Sequence, residues 1–372
     1  MAISTISSSG LDGNVSQLGK NLLINGEMLS AQRGDLTGLG AANVYTSADM
    51  WELRRSAGTE EARVSTSVES LSKDNSILLG GHRYALKIDC TTAESAVGSA
   101  EVMFVCTKIE AQNLQHLLYG SEGSQQAMSL RFGFSSPKSG THCIALYSPD
   151  GNRSLVREFT VAAADTFEII KIDNIPGDAL GTMNNDTGEG LRLAFPLFAG
   201  SAYHDTNNTW EANEAASTSN QQNLLDNTSN NIFITGVQLE VGLKCTDFEY
   251  EPHSVTLAKC QRYFFRLNDL DGGMPFMAGQ AITATRTRAV FHLPVTMRNT
   301  AAGGITLALS DADHFSARAV NVAKAASGIA AQGSAGGNIV YLDLTIASTT
   351  AGDSILHESD TANSYVDFSS EL

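Results

Sequence analysis

The run Ile232-Phe-Ile-Thr-Gly-Val-Gln-Leu-Glu-Val-Gly242 constrains the fold more than any other part of the chain. Phe233, Thr235, Val237, Leu239 and Val241 fall on one side of an extended backbone. Ile232, Ile234, Gly236, Gln238 and Glu240 fall on the other. A period of two, rich in β-branched residues and closed by glycine, predicts a long strand with one mostly apolar face. Pro252 breaks the stretch that follows, and His253-Ser254 open a short helix through Arg262. Tyr263-Phe264 then begin a new run, so one domain closes near residue 252 and a second starts there.

The same alternation recurs upstream. It marks Arg83–Cys90, Glu101–Ile109, Met128–Phe134, Cys143–Tyr147, Phe167–Ile172 and Leu191–Phe195, with turn signals such as Pro149-Asp-Gly-Asn152 and Pro176-Gly-Asp178 between them. One stretch is helical in period: Glu110–Leu118 gathers Ala111, Leu114, Leu117 and Leu118 on one face. Strands at this spacing predict an all-β domain over residues 21–252, a jelly-roll-like sandwich of two sheets with one or two short helices. The second domain, residues 253–372, reads as a smaller β-sandwich. Its clearest strands are Ala289–Pro294, Gly304–Leu309 and Asn338–Ile346, the last with Val340, Leu342, Leu344 and Ile346 on one face. The small-residue stretch 323–337 reads as a long loop or weak hairpin.

The chain has 372 residues and a net charge of −16. A nucleic-acid partner needs a basic face to displace counterions, so that class is excluded. No stretch reaches the roughly 20 apolar residues that cross a bilayer, so membrane insertion is not expected. Residues 1–10 lack the basic and apolar regions of a signal peptide, which points to synthesis in a cytoplasm. The five cysteines, Cys90, Cys106, Cys143, Cys245 and Cys260, form no C-x-x-C pair and have no histidine at metal spacing. Strand parity makes Cys90 and Cys106 buried apolar groups. Residues 1–20 are polar and lack periodicity, which suits an arm that orders against a partner.

Several blocks, in order, resemble those of bacteriophage tail-fibre and related virion-surface proteins. They are Asn21-Leu-Leu-Ile-Asn-Gly26, Ala31-Gln-Arg-Gly34, Tyr45-Thr-Ser-Ala-Asp-Met-Trp51, the 235–242 strand, Phe248-Glu-Tyr-Glu-Pro252 and Cys260-Gln-Arg-Tyr-Phe264. Cys245 and Asp247 depart from that pattern, which has Ala and Pro there. The resemblance implies a virion protein of the tail, made in the bacterial host cytoplasm and anchored to other tail proteins through residues 1–20. It also implies a homotrimer that contacts a host cell-surface glycan. A purely structural connector, nozzle or capsid decoration protein is the competing reading.

No chemistry of catalysis stands out. There is no G-x-S-x-G elbow, no H-E-x-x-H helix and no β-helix repeat of a depolymerase. Carboxylates for glycan hydrolysis, of which Asp186, Glu189, Asp205 and Glu211 are candidates, must face each other at about 5–10 Å, and spacing along the chain does not pair them. His116, His142 and His204 read as surface or satisfied histidines. Asp150, Asn152 and Asp186 read as turn residues rather than calcium ligands. The expectation is therefore a non-enzyme without cofactor or metal. Sugar recognition needs an aromatic face ringed by amides and carboxylates. Segment 201–231 holds Tyr203, Asp205, Asn207, Asn208 and Trp210 among eight asparagines, and these five are the candidate glycan-binding residues. Against this, Trp210 also suits a plug for the sandwich edge, while Trp51 is expected in the core.

Overall fold

The computed structural model describes residues 20–56, 61–71, 81–269, 275–299, 301, 304–311, 314–319, 322–334, 338–361 and 363–372. The expected anchoring arm lies outside them, except for Lys20. The chain divides into two units, residues 1–256 with Leu372, and residues 257–371.

The first unit contains β1 (Leu36–Leu39), β2 (Val44–Tyr45), β3 (Trp51–Arg55), β4 (Arg63–Ser70), β5 (Tyr84–Thr92), β6 (Val102–Glu110) and β7 (Met128–Ser135). It continues through β8 (Gly140–Ser148), β9 (Arg153–Val161), β10 (Glu168–Ile175), β11 (Glu189–Ala199), β12 (Trp210–Ala212) and β13 (Asn231–Val241). Two antiparallel sheets result, ordered β1-β4-β5-β13-β7-β10 and β12-β9-β8-β11-β6-β3-β2. The backbone passes from one sheet to the other at most connections, which is the jelly-roll-like sandwich expected. Phe132 and Phe134 of β7 reach across the core to Phe159 of β9 at 5.1 and 5.4 Å, and Phe132 meets Phe195 of β11 at 5.1 Å. Trp51 is fully buried beside Phe195. Cys90 and Cys106 are buried free thiols, as their parity implies.

Strand β13 departs from strict alternation. Ile232 and Ile234 lie in the same core as Val237 and Leu239, although the sequence period sets them on opposite faces. Pairing with β7 explains this: Thr235 faces Gly133 and Gln238 faces Arg131, so three steps on one strand match two on the other. The extra residue is a β-bulge at Gly236, whose φ of +55° favours glycine. A Cβ on Gly236 would stand 2.4 Å from the imidazole of His82. We expect Gly236→Ala to cost the first unit about 2–4 kcal/mol, from left-handed strain plus overlap with a buried ring. Urea unfolding checks this, and a cost below about 1 kcal/mol would contradict the bulge.

The expected helix over residues 110–118 is instead two 3-10 turns, Ala111–Asn113 and Gln115–Leu117. Ala111, Leu114 and Leu117 are buried, while Leu118 adopts φ +54° and is 45% exposed. A link this short between strands aims three side chains at the core without closing two α-turns.

Residues of five of the blocks of resemblance, all but Cys260–Phe264, are tied into two lacing clusters. The fully buried carboxylate of Asp49 accepts from Ser30 Oγ at 2.6 Å and Gln32 Nε2 at 3.0 Å, and pairs with Arg33 at 3.4 Å. Asn25 Nδ2 donates to the carbonyls of Ser30 and Asp49, and Trp51 Nε1 donates to that of Asn25. On β13, Gln238 Oε1 accepts from Glu249 N, and Glu240 accepts from Thr246 N and Oγ1, each at 2.7 Å. Lys20 Nζ donates to Thr246 Oγ1 and to the carbonyl of Asp247. Asp247 thus serves through its main chain, and Cys245 Sγ donates to Leu130 O at 3.2 Å. Buried polar groups persist only when partnered, so these blocks encode the closure of the sandwich.

The helix α1 (His253–Gln261) appears where the sequence places one. The second unit holds β14 (Phe264–Asp269), β15 (Pro275–Thr283), β16 (Arg286–His292), β17 (Thr306–Leu309), β18 (Phe315–Ala319), β19 (Val322–Ser334), β20 (Ile339–Ile346), β21 (Ser354–Ser359) and β22 (Ser364–Ser369). It is all-β, but where a second sandwich was expected its larger sheet closes into a six-stranded barrel, β15-β16-β20-β19-β18-β21. A three-stranded sheet, β14-β22-β17, accompanies it. Ala289, Ala317 and Ala326 in the core leave room for closure at so few strands. Val340, Leu342, Leu344 and Ile346 are buried on one face, as their period requires. Segment 323–337 is not the expected loop: through residue 334 it is strand, paired on both sides with two register shifts that absorb its glycines and alanines. Residues 335–337 lie outside the described set.

Candidate functional site

Segment 201–231 folds as a fitted cover rather than a free loop. Asn207 Oδ1 accepts from Glu158 N at 3.0 Å, and Asn208, with φ +63°, donates its N–H to Val156 O at 2.7 Å. Both asparagines therefore extend the sheet along the edge of β9. Asp205 donates its N–H to Ser217 O and accepts from Thr206 N. Tyr203 packs on a satellite cluster of Val102, Phe104, Cys143 and Ala194 on the outer face of the seven-stranded sheet. Asn223 and Asn230 cap main-chain groups around the buried Leu224 and Leu225.

Trp210 pairs with Leu155 in β12, and its indole turns inward against the core. Nε1 donates to Pro176 O at 2.7 Å, and the ring meets Tyr119 edge-on at 5.6 Å. The edge-plug alternative is what the geometry supports, and the five candidate residues line an edge without forming an aromatic platform. Trp210→Ala should cost about 2–3 kcal/mol in urea unfolding, a half-buried share of the usual aromatic truncation, and leave ligand affinity unchanged. A loss of ligand affinity in a folded variant would return Trp210 to the site.

The residues that do converge stand on the outer face of the same sheet. Register sets Lys108, Arg192, Tyr147, Ser154 and Glu211 side by side across β6, β11, β8, β9 and β12. The Arg192 guanidinium lies 5.1 Å from the centre of the half-buried Tyr147 ring. Carboxylates hold it: Glu189 at 2.8 Å and Glu214, which belongs to the covering segment. Lys108 pairs with Glu52 at 2.8 Å, and Arg54 approaches the same carboxylate at 4.0 Å. Asn152, exposed with φ +47°, accepts from Tyr147 Oη at 3.1 Å. Arg192, Lys108 and Ser154 are themselves buried, so the result is a shelf that presents the half-buried Tyr147 ring, backed by a guanidinium fixed from two sides, with the exposed Asn152 amide and the partly exposed Glu214 carboxylate beside it. Groups held by such pairing lose little rotamer freedom on meeting a ligand.

The carboxylates considered for hydrolysis are differently employed. Glu189 neutralises Arg192, and Asp186 Oδ1 accepts from Gly188 N in an Asx turn. Asp205 and Glu211 do meet, and burial first, then the neighbouring Glu211, raises the Asp205 carboxyl above its usual range. Asp150 bonds Asn184 through both oxygens. His116 is exposed, His204 Nε2 lies 3.1 Å from Ala199 O, and His142 is buried with Nε2 2.9 Å from Lys138 O. The shelf was not foreseen because only inter-strand register assembles it. The available signal was the placing of Lys108 and Arg192 inside otherwise apolar strands, which demands partners for both.

No family model and no curated protein matches the chain. Among solved structures it is similar to the enzymatically active domain of bacteriophage CBA120 tailspike protein 4, with 11% identity, 60% of this chain covered and a TM-score of 0.29. The chain spans 22% of that domain's length. It is also similar to the family 11 carbohydrate-binding module of Clostridium thermocellum in complex with a β-1,3-1,4-mixed-linked tetrasaccharide, with 13% identity, 57% and 98% of the two chains covered, and a TM-score of 0.25. A C-terminal family 22 carbohydrate-binding module of the same organism gives 9% identity, 62% and 98% coverage, and a TM-score of 0.28.

Proposed function

We propose that the chain is a non-enzymatic phage tail-fibre protein whose sandwich binds a host-surface glycan on the outer face of the seven-stranded sheet. The observation that carries the glycan part is the in-register row with Tyr147 backed by a doubly paired Arg192. An aromatic ring beside fixed donors and acceptors suits the apolar face and the hydroxyls of a sugar. The tail-fibre part rests on the ordered blocks of residues 21–264, and with it go the trimer and the attachment through residues 1–20. Light scattering of the purified chain tests the trimer, and a monomer at micromolar concentration speaks against it.

Full-length protein on a glycan array and on host cells tests the binding. Saturable binding is expected, and Tyr147→Ala should weaken it about tenfold or more, the usual cost of removing a central aromatic contact. Absence of saturable binding to any glycan or host cell would defeat the proposal, and unchanged affinity in Tyr147→Ala would remove the shelf from it.

A further inference from the structure

We propose that the barrel of the second unit carries a binding site of its own, for an acidic saccharide that bears a carboxylate or a phosphate. The site is an open hollow of about 690 Å³ on the outer wall, lined by Gly279, Gln280, Ile282, Arg288, Val290 and Ser354 among others, a size that suits a small ligand. Register builds it. Strand β15 runs between β16 and β21, so Gln280 stands between Arg288 and Ser354, and Ala278 between Val290 and Leu356. The small residues Ala278 and Gly279 keep the middle strand low between these walls.

The charge at the hollow selects an anion, because two guanidiniums share one carboxylate. Arg288 donates through Nε and Nη2 to Asp343 at 2.7 and 2.9 Å, and lies 4.2 Å from the centre of the Tyr341 ring, which holds it against the wall. Arg286 stands two residues along on the same face of β16. Its Nε comes only within 3.6 Å of that carboxylate and has no hydrogen-bond partner among the described residues. Both arginine side chains are 40% exposed while that of Asp343 is fully buried, so solvent meets the cations and not their counter-charge. Asp353, between the lining residues Gly352 and Ser354, pairs with neither arginine. The acidity of the chain lies elsewhere: residues 257–371 hold eight Lys and Arg against ten Asp and Glu, −2 of the −16. A guanidinium takes a carboxylate or phosphate through paired N–H groups. The exposed Gln280 and Ser354 offer an amide and a hydroxyl to sugar hydroxyls, and Ile282 and Val290 an apolar wall to ring C–H groups.

Matched pairs test the site by titration calorimetry with the full chain. Oligogalacturonate and its methyl ester share a backbone and differ in charge, and a glucose oligosaccharide with and without a terminal 6-phosphate forms the phosphate arm. We expect the acidic member of at least one arm to bind about tenfold or more tightly than its neutral partner, with affinity falling as salt rises. Arg286→Gln removes the surplus charge without unpairing Asp343, so it should keep its circular dichroism and erase that preference. Gln280→Ala, at an exposed position, is the second variant and should weaken the acidic sugar about fivefold, the share of one hydrogen bond. Tyr147→Ala, in the other unit, should leave acidic binding untouched, so the two sites fail or stand separately. No acidic preference in either arm, or one that survives intact in folded Arg286→Gln or Gln280→Ala, overturns the site. A preference abolished by Tyr147→Ala places the anion on the first unit and overturns it as well. Inorganic phosphate or poly-glutamate bound as tightly as the acidic sugars would overturn the choice of a saccharide.

Discussion

Asp49→Ala is expected to destabilise the first unit by about 3–5 kcal/mol, the loss seen when one member of a buried charged pair is removed. The carboxylate is 1% exposed and is shared by Ser30, Gln32 and Arg33, so its deletion strands three donors at once. Asp49→Asn keeps the shape and one acceptor, and should cost about half as much. Both tryptophans, Trp51 and Trp210, lie in this unit, so tryptophan fluorescence in urea reports the sandwich alone. A shift under about 1 kcal/mol in Asp49→Ala would contradict the lacing role given to the 25–51 blocks.

Acid should weaken both units between pH 6.5 and about 4. Burial, then the Arg131 guanidinium, pushes the His82 pKa down to about 4, and burial does the same to His357. Arg131 lies 3.1 Å from His82 Nε2 and donates to it, which requires the neutral ring. Both pKa values are depressed, so near neutral pH neither state is protonated and nothing is lost. Below pH 6.5 the unfolded chain takes up a proton that the folded one refuses, and stability falls until the folded pKa is reached. Each histidine accounts for about 3 kcal/mol over that window, at about 1.4 kcal/mol per pH unit. Burial lowers His142 in the same sense, while the raised carboxyls of Glu27 and Asp205 act oppositely. His82→Gln keeps an acceptor for Arg131 and should flatten the pH dependence of the fluorescence transition. An unchanged slope between pH 6.5 and 4 would show that His82 titrates normally.

These expectations mark what could be read from residue order and what could not. The strand period located β5, β6, β7, β8, β10, β11 and β13, whose apolar residues meet in a common core, but not the strands β1 to β4, β9 and β12. The period failed at β13, where Gly236 inserts a bulge that returns Val237 to the face of Ile234. A glycine inside a strand was the available sign. It failed again at β19, where alanines and glycines with little intrinsic strand preference are held by partners on both sides. The site was less legible than the fold. Aromatic and amide content drew attention to segment 201–231, yet Asn207 and Asn208 are consumed by the edge of β9. Tyr147, Arg192 and Glu214 lie 22 to 67 positions apart, and only sheet order brings them together.

A crystal structure of the full chain soaked with the neutral oligosaccharide that binds best tests the proposed surface most directly. The account predicts a sugar ring against Tyr147, with hydroxyls on Asn152 or Glu214. A sugar seated at the Trp210–Asn207 edge, or on the barrel of the second unit, would contradict it.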